Sequence, residues 1–329
     1  MKRQLSVHFE SWEALIPFRI SRAEWTTFEA VICEIGQDGR VGQGEALGVY
    51  YLDETNESML ADIEAARTLI EDGVTRDALL ESMPHGGARN AVDAALWDLE
   101  AKLSGRTAWN MAGVPADPIE TVFTIGLEAE PMQMGAKAAA AKDLELFKVK
   151  LNDDRPVERI AAIREVRPEA RLVVDVNEGW NFDQLREVAP ELQRLGVSMI
   201  EQPLKRGADE ELEGYDAPLP LCGDESCLHL AELEQAAARY QMINIKLDKC
   251  GGLTHGLALA KAAKERGLGV MVGCMGGTSL SMAPSHVLAQ LCDFVDIDGP
   301  LLLKNDRLGG LKYERGYASL PDGPFWGVP

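Results

Sequence analysis

Lys148 and Lys150 stand two apart in an apolar run at 146–151, so in a strand their side chains share one face. Runs at 172–177, 198–201 and 219–224 carry Asp175, Glu201 and Asp224 at or near their ends, and the run at 242–246 closes on Lys246. Charges ending otherwise apolar strands are costly unless paired or liganded, so a merely solvated rim accounts poorly for the set. Three carboxylates from consecutive strands offer hard oxygen ligands to one cation, and a protein shell with room for water suits Mg²⁺ better than zinc. In a ring of eight strands the second and sixth face each other, which puts a lysine on either side of a substrate. Lowering a lysine pKa from about 10.4 toward 7 or 8 takes on the order of 4 kcal/mol. Lys148 beside Lys150 and a divalent cation favour that shift, whereas the carboxylates oppose it. Two bases and a cation describe removal of a proton next to a carboxylate or carbonyl through an enediolate, and its return on the same or the opposite face.

The elements that must position these groups are legible as a period. Short apolar or β-branched runs at 121–126, 146–151, 172–177, 198–201, 219–224, 242–246, 269–273 and 294–298 alternate with helical stretches. Landmarks at Thr124, Lys148, Asp175, Glu201, Asp224, Lys246, Val272 and Asp296 are separated by 24, 27, 26, 23, 22, 26 and 24 residues. Eight strands at a repeat near 25 residues predict a TIM-type barrel. Helices are expected at 131–143, 155–166, 183–195, 228–239, 254–267 and 278–291, with the 205–215 crossover the least regular, giving (β/α)7β. Residues 1–117 instead predict antiparallel strands at 7–16 and 26–35, a turn at Gln37-Asp38-Gly39, and helices at 56–72, 75–82 and 87–103. The expected organisation is an N-terminal α+β capping domain (1–117), a barrel (118–311), and a C-terminal segment (312–329) packing back on the cap.

The chain has 329 residues, 46% apolar, with 33 Lys and Arg against 53 Asp and Glu, a formal charge of −20 that argues against nucleic acid and anionic membranes as partners. Six cysteines without a CxxC pair point to a reducing, cytoplasmic setting, and Glu10 and Glu13 interrupt any apolar export signal near the start. None of the five histidines falls at i, i+4, so zinc of the HExxH kind lacks support. Oligomerisation is possible for such barrels but is not legible in the chain.

Phe147-Lys148-Val149-Lys150, Val174-Asp175-Val176-Asn177, Ile200-Glu201-Gln202-Pro203, Gly223-Asp224-Glu225-Ser226 and the segment from Asn244 through Lys246 and Lys249 to Gly252 together resemble the enolase superfamily, in its muconate-lactonizing-enzyme-like subgroup, over nearly the whole chain. That superfamily's pairing of a Lys or His base with Mg²⁺ is established in general. The resemblance implies Mg²⁺ on Asp175, Glu201 and Asp224, Lys150 and Lys246 as opposed acid and base, and Lys148 as a helper that tunes Lys150 and meets the substrate carboxylate. Asn177 and Glu225 then orient the ligands from behind. Lys249, just beyond the strand, is expected to make a loop or metal-side polar contact, and Asp248 has no assignable role.

Asp296 and Asp298 end the eighth strand with side chains on one face, and two carboxylates there suit an ammonium group. Within the superfamily this D-x-D resembles the mark of dipeptide epimerases, which implies 1,1-proton transfer at the α-carbon of the C-terminal residue. Thr124 and Met275, at the ends of the first and seventh strands, are expected to line the pocket. Arg22 could fork onto an acidic side chain, favouring L-Ala-D/L-Glu from murein peptide, whereas Trp25, Tyr50 and Tyr51 could equally line a pocket for a hydrophobic residue. A cycloisomerase or o-succinylbenzoate synthase-type reaction, and a barrel that binds without turnover, are the competing readings.

Overall fold

The computed structural model describes residues 2–20 and 23–329. Strands β1 (Gln4–Arg19), β2 (Glu24–Gln37) and β3 (Arg40–Ala46) form an antiparallel sheet in the order β1-β2-β3. Asp38 and Gly39, both at positive φ (52° and 75°), make the expected tight turn between β2 and β3. The helical period expected at 56–72 is broken at Ala66 into α1 (Asn56–Ala65) and α2 (Arg67–Glu71), and α3 (Arg76–Ser82) follows. Helix α4 (Gly87–Ser104) then lies across β3, and almost every residue in its first four turns is buried. Gly42 and Gly44 permit that approach: a side-chain carbon at either would stand 2.1 Å from the carbonyl oxygen of Ala95 or Ala91. A short helix, α5 (Ala108–Ala112), leads out of the cap.

After β4 (Ile119–Glu120), eight parallel strands follow in sequence order: β5 (Phe123–Ile125), β6 (Leu146–Lys150), β7 (Arg171–Asp175), β8 (Val197–Glu201), β9 (Leu221–Gly223), β10 (Met242–Lys246), β11 (Gly269–Gly273) and β12 (Phe294–Val295). The ring closes where the Val122 N–H, just before β5, donates to Val295 O at 2.9 Å. Crossover helices α6 (Pro131–Ala140), α7 (Pro156–Val166), α8 (Phe182–Arg194), α9 (Leu233–Arg239), α11 (Leu253–Glu265) and α12 (Ser279–Ala289) cover the barrel, and α10 (Leu247–Cys250) is a single turn following β10 directly. The irregular crossover at 205–215 holds one 3₁₀ turn, Glu210–Leu212.

One expectation is corrected here. The eighth strand stops at Val295, so Asp296 and Asp298 lie in the turn beyond it, and their shared orientation comes from that turn and its partners rather than from strand alternation. The C-terminal hairpin β13 (Lys312–Glu314) and β14 (Tyr317–Ser319) pairs with β4. The chain then returns to α4, where Trp326 Nε1 donates to Ala94 O at 3.0 Å and the Gly327 N–H to Asp98 at 2.8 Å.

Candidate active site

Alternation along the barrel strands stacks the inward side chains in layers. Val122, Leu146, Val173, Met199, Cys222, Met242 and Met271 form an apolar plug at the N-terminal end. The next inward positions are charged or polar: Lys148, Asp175, Glu201, Asp224, Asn244 and Asp296, with Lys150 and Lys246 nearest the mouth. The plug denies this layer water from below, so its charges must satisfy one another.

They do so through shared oxygens. Lys148 Nζ lies 3.1 Å from Asp175, 2.7 Å from Glu201 and 2.7 Å from Asp296. Lys150 Nζ donates to the same oxygen of Asp175, Oδ2, at 2.6 Å and to Asn177 Oδ1 at 3.2 Å. Lys246 Nζ meets Asp224 Oδ2 at 2.8 Å on the other side of the ring. Lys249 is fully buried and holds Asp224 from behind, at 2.5 Å through Oδ1 and 2.6 Å through its carbonyl.

Burial pushes the Asp175 carboxyl up, yet Lys148, Lys150 and Lys246 outweigh it and hold the group well below the usual carboxylate range. Asp224 behaves in the same way, burial being overcome by Lys246 and Lys249. Glu201 is pushed up to about 7, by burial first and then by the charge of Asp175. For Lys148 burial works against the charge, but Asp175, Asp296 and Glu201 raise its pKa well above the ordinary value, and Asp224 raises that of Lys246 against the same burial. Lys148 and Lys150 therefore do not simply repel each other: one carboxylate oxygen lies between them.

The oxygens of Asp175, Glu201 and Asp224 form a hard donor set. As they stand, no three His, Cys, Asp or Glu side chains among the described residues converge on one point as metal ligands, because these oxygens are turned onto lysine ammonium groups. The donor chemistry nonetheless fits a divalent cation. Glu201 Oε2 and Asp224 Oδ2 are buried with only the ammonium groups of Lys148 and Lys246 against them, positive charge that a divalent cation could replace.

A cleft open to solvent lies between this layer and the cap. Lys148, Lys150, Lys246, Asp296, Asp298, Thr124, Met275, Asn177 and Glu225 all line it, so these nine predicted residues reach one cavity. Asp175, Glu201 and Asp224 lie just beneath its floor. Asp298 Oδ2 accepts the Thr124 N–H at 2.7 Å, and burial, then the neighbouring Asp296, push its carboxyl up to about 7. Asp296 is already engaged by Lys148, so the two aspartates present one ion-paired and one hydrogen-bonded carboxylate at this wall. Arg22 lies outside the described residues. The cap contributes an aromatic wall in which Trp25 stacks on Phe28 at 6.5 Å and meets Tyr50 edge-on at 5.3 Å.

Several functional side chains escaped the sequence reading. Asn244 donates to Glu201 Oε1 at 2.7 Å, and its strand parity with Lys246 was the available signal. Asp248 Oδ1 accepts from the Leu47 N–H at 3.2 Å and from Asn90 at 2.9 Å, tying the barrel to the cap. Arg89 donates to the carbonyls of Cys250 and Gly251 at 2.6 and 2.9 Å and so secures α10 one turn beyond Lys246. No local signal marked the partners of these two, which come from elements about 160 to 200 residues away.

Residues 132–329 match the family described as enolase C-terminal domain-like, and residues 2–113 match the mandelate racemase / muconate lactonizing enzyme N-terminal domain. The chain belongs to this mandelate racemase / muconate lactonizing enzyme family of the enolase superfamily. It is 38% identical over 318 residues to the L-Ala-D/L-Glu epimerase of Escherichia coli K12, covering 95% of this chain and 98% of that protein. It is 41% identical over 249 residues to an N-acetyl-D-glutamate racemase from a Pseudoalteromonas species, covering 76% and 79%. Among solved structures, an enolase family member from Agrobacterium tumefaciens with homology to dipeptide epimerases, bound to sodium and L-Ala-L-Glu, superposes with a TM-score of 0.94 at 42% identity over 97% and 98% of the two chains. The dipeptide epimerase of Methylococcus capsulatus, solved with Mg and L-Arg-D-Lys, gives 0.91 at 30% identity over 99% of each.

Proposed function

We propose that this protein is a Mg²⁺-dependent dipeptide epimerase, an isomerase that moves a proton at the α-carbon of the dipeptide's C-terminal residue, with L-Ala-D/L-Glu as its substrate. The observation that carries the reading is the opposition of Lys150 on β6 and Lys246 on β10 across one cleft, above three buried carboxylates. Asp175, Glu201 and Asp224 would hold Mg²⁺, which supplies positive charge against the negative charge that develops on the substrate carboxylate. With one lysine neutral, its ammonium proton given up to solvent, and the other protonated, a neutral Lys150 takes the α-proton from one face while the Lys246 ammonium delivers its proton to the other, and reversal of the two protonation states serves the opposite epimer. Lys148, locked among Asp175, Glu201 and Asp296, adds a fixed positive charge on the cleft floor. Asp296 and Asp298 receive the α-ammonium, Thr124 fixes Asp298 through its N–H, and Asn177 and Glu225 orient the charged groups around them.

Asp296 and Asp298 also support this reading over racemisation of an N-acetyl amino acid, which has no ammonium to offer them. The aromatic cap wall of Trp25, Phe28 and Tyr50 favours a second reading of the side chain, in which the C-terminal residue is hydrophobic. Six free cysteines suit a reducing compartment such as the cytoplasm, and no described helix is long and apolar enough to cross a membrane. A dipeptide library incubated with enzyme and Mg²⁺ in D₂O tests the reading by mass spectrometry. A one-unit gain at the C-terminal α-carbon, strongest for Ala-Glu, is expected. A gain confined to hydrophobic dipeptides reassigns the side chain, and no gain across the library overturns the epimerase reading.

A further inference from the structure

The three floor carboxylates share one arrangement. Each has one oxygen held by a protein donor: Asp175 Oδ1 by the Asn177 N–H at 3.0 Å, Glu201 Oε1 by Asn244 Nδ2 at 2.7 Å, and Asp224 Oδ1 by Lys249 Nζ at 2.5 Å. In each case the other oxygen faces a lysine: Asp175 Oδ2 toward Lys148 and Lys150, Glu201 Oε2 toward Lys148, and Asp224 Oδ2 toward Lys246. The outward oxygens of Glu201 and Asp224 are buried with only a lysine ammonium against each, at 2.7 and 2.8 Å, whereas the inward ones are held by groups that do not line the cleft or by backbone.

The donors are themselves immobilised. Lys249 is fully buried and also reaches the carbonyls of Asp224, Asn244 and Cys227 at 2.6, 3.0 and 3.3 Å, so its ammonium cannot swing away. Asn244 lies in space left by Gly273, where a side-chain carbon would stand 2.7 Å from its Nδ2. Asn177 adopts φ 46°, and its amide points back at the carboxylate two residues earlier.

We infer that Asn244, Lys249 and the Asn177 amide are positioning groups that restrict each carboxylate to a single outward oxygen and thereby fit the site to a small, six-coordinate divalent cation over a larger one. A carboxylate whose second oxygen is held by a charged or amide donor must weaken that hydrogen bond to chelate, whereas its other oxygen can pivot from its lysine onto a cation with the hold intact. Ca²⁺ takes six to eight oxygens and accepts bidentate carboxylates, whereas Mg²⁺ demands six at short range. Three single oxygens supply half of the Mg²⁺ shell and leave the rest for substrate and water. This inference rests on the assignment of Asp175, Glu201 and Asp224 as cation ligands, but adds residues and a selectivity that the assignment does not contain.

Isothermal titration of the full chain with Mg²⁺ and, separately, Ca²⁺, without substrate, tests it in the wild type, Asn244→Ala and Lys249→Met, with circular dichroism checking the fold. The wild type is expected to bind Mg²⁺ at least as tightly as Ca²⁺. Each variant should shift the affinity ratio toward Ca²⁺ by about tenfold, the low end of what losing such an outer partner costs a metal site. Lys249→Met removes a positive charge and can strengthen binding of both ions, which is why the ratio is the readout. Parallel changes with a constant ratio overturn the inference and leave the cation site standing. A wild type that binds neither ion overturns both. Lys249→Met leaves buried carbonyls without a donor, so if it does not fold, Asn244→Ala and the wild-type preference decide, and tighter binding of Ca²⁺ by the wild type refutes the inference.

Discussion

Removing one lysine at a time should split the reaction into halves. Lys150→Ala takes away the ammonium at 2.6 Å from Asp175 Oδ2, but Lys148 remains 3.1 Å from the same oxygen, so the buried carboxylate keeps a partner and the fold should survive. Lys246→Ala leaves Asp224 with Lys249 at 2.5 Å for the same reason. The expected damage is therefore chemical: loss of a positioned acid or base costs about 10²- to 10⁴-fold, or about 3 to 5 kcal/mol of barrier. Because the lysines approach from opposite sides, each variant retains one that serves a single face. In D₂O, followed by proton NMR, each variant should exchange the α-proton of one epimer without inverting it. The two variants should choose opposite epimers, while net epimerisation falls by at least 10²-fold. Exchange of the same epimer by both variants, or full epimerisation by either, would refute the two-sided mechanism.

Other consequences lie away from the chemistry. Asp93, buried in α4 and accepting from the Thr254 N–H and hydroxyl at 2.9 and 2.6 Å, is pushed up to about 6, chiefly by burial. Its folded pKa exceeds the unfolded value of 3.8, so the native state binds the proton more tightly and stability falls as pH rises from about 4 to about 6, by about 3 kcal/mol. Urea denaturation across that window should show a shallower fall in Asp93→Asn than in the wild type. Glu45 is buried between Thr278, whose N–H donates at 2.7 Å, and Arg307 at 2.8 Å, and so anchors the turn carrying Met275 into the cleft. Glu45→Ala should lower stability by about 3 to 5 kcal/mol and raise KM more than it lowers kcat. Gly42→Ala forces a carbon to 2.1 Å from Ala95 O and should cost at least about 1 to 3 kcal/mol in denaturant titration, by lifting α4 off the cap sheet.

Much of the site was readable because strands are regular. A period of two sends Lys148 and Lys150 to one face, and the near-constant spacing of strand ends brings Asp175, Glu201, Asp224 and Lys246 to one end of the barrel without any long-range information. Where regularity ends, so did legibility. The final strand is two residues long, and Asp296 and Asp298 owe their placement to Lys148 and to the Thr124 amide. The helical period at 56–72 concealed a break at Ala66, because both pieces bury apolar residues against the same cap core.

Sequence alone determined the order of the strands, which side chains enter the barrel, and hence the kind of chemistry its mouth can perform, since those follow from local periodicity and from charge in an apolar setting. Tertiary structure decided how the charges are apportioned. Lys249 turns back onto Asp224 because α10 begins directly after Lys246, and Arg89 reaches the carbonyls at the end of that turn from the cap. Which oxygen of Glu201 and of Asp224 is held and which is presented depends on hydrogen-bond angles between groups on different elements. Such angles are set only when the barrel closes, and no pattern along the chain encodes them.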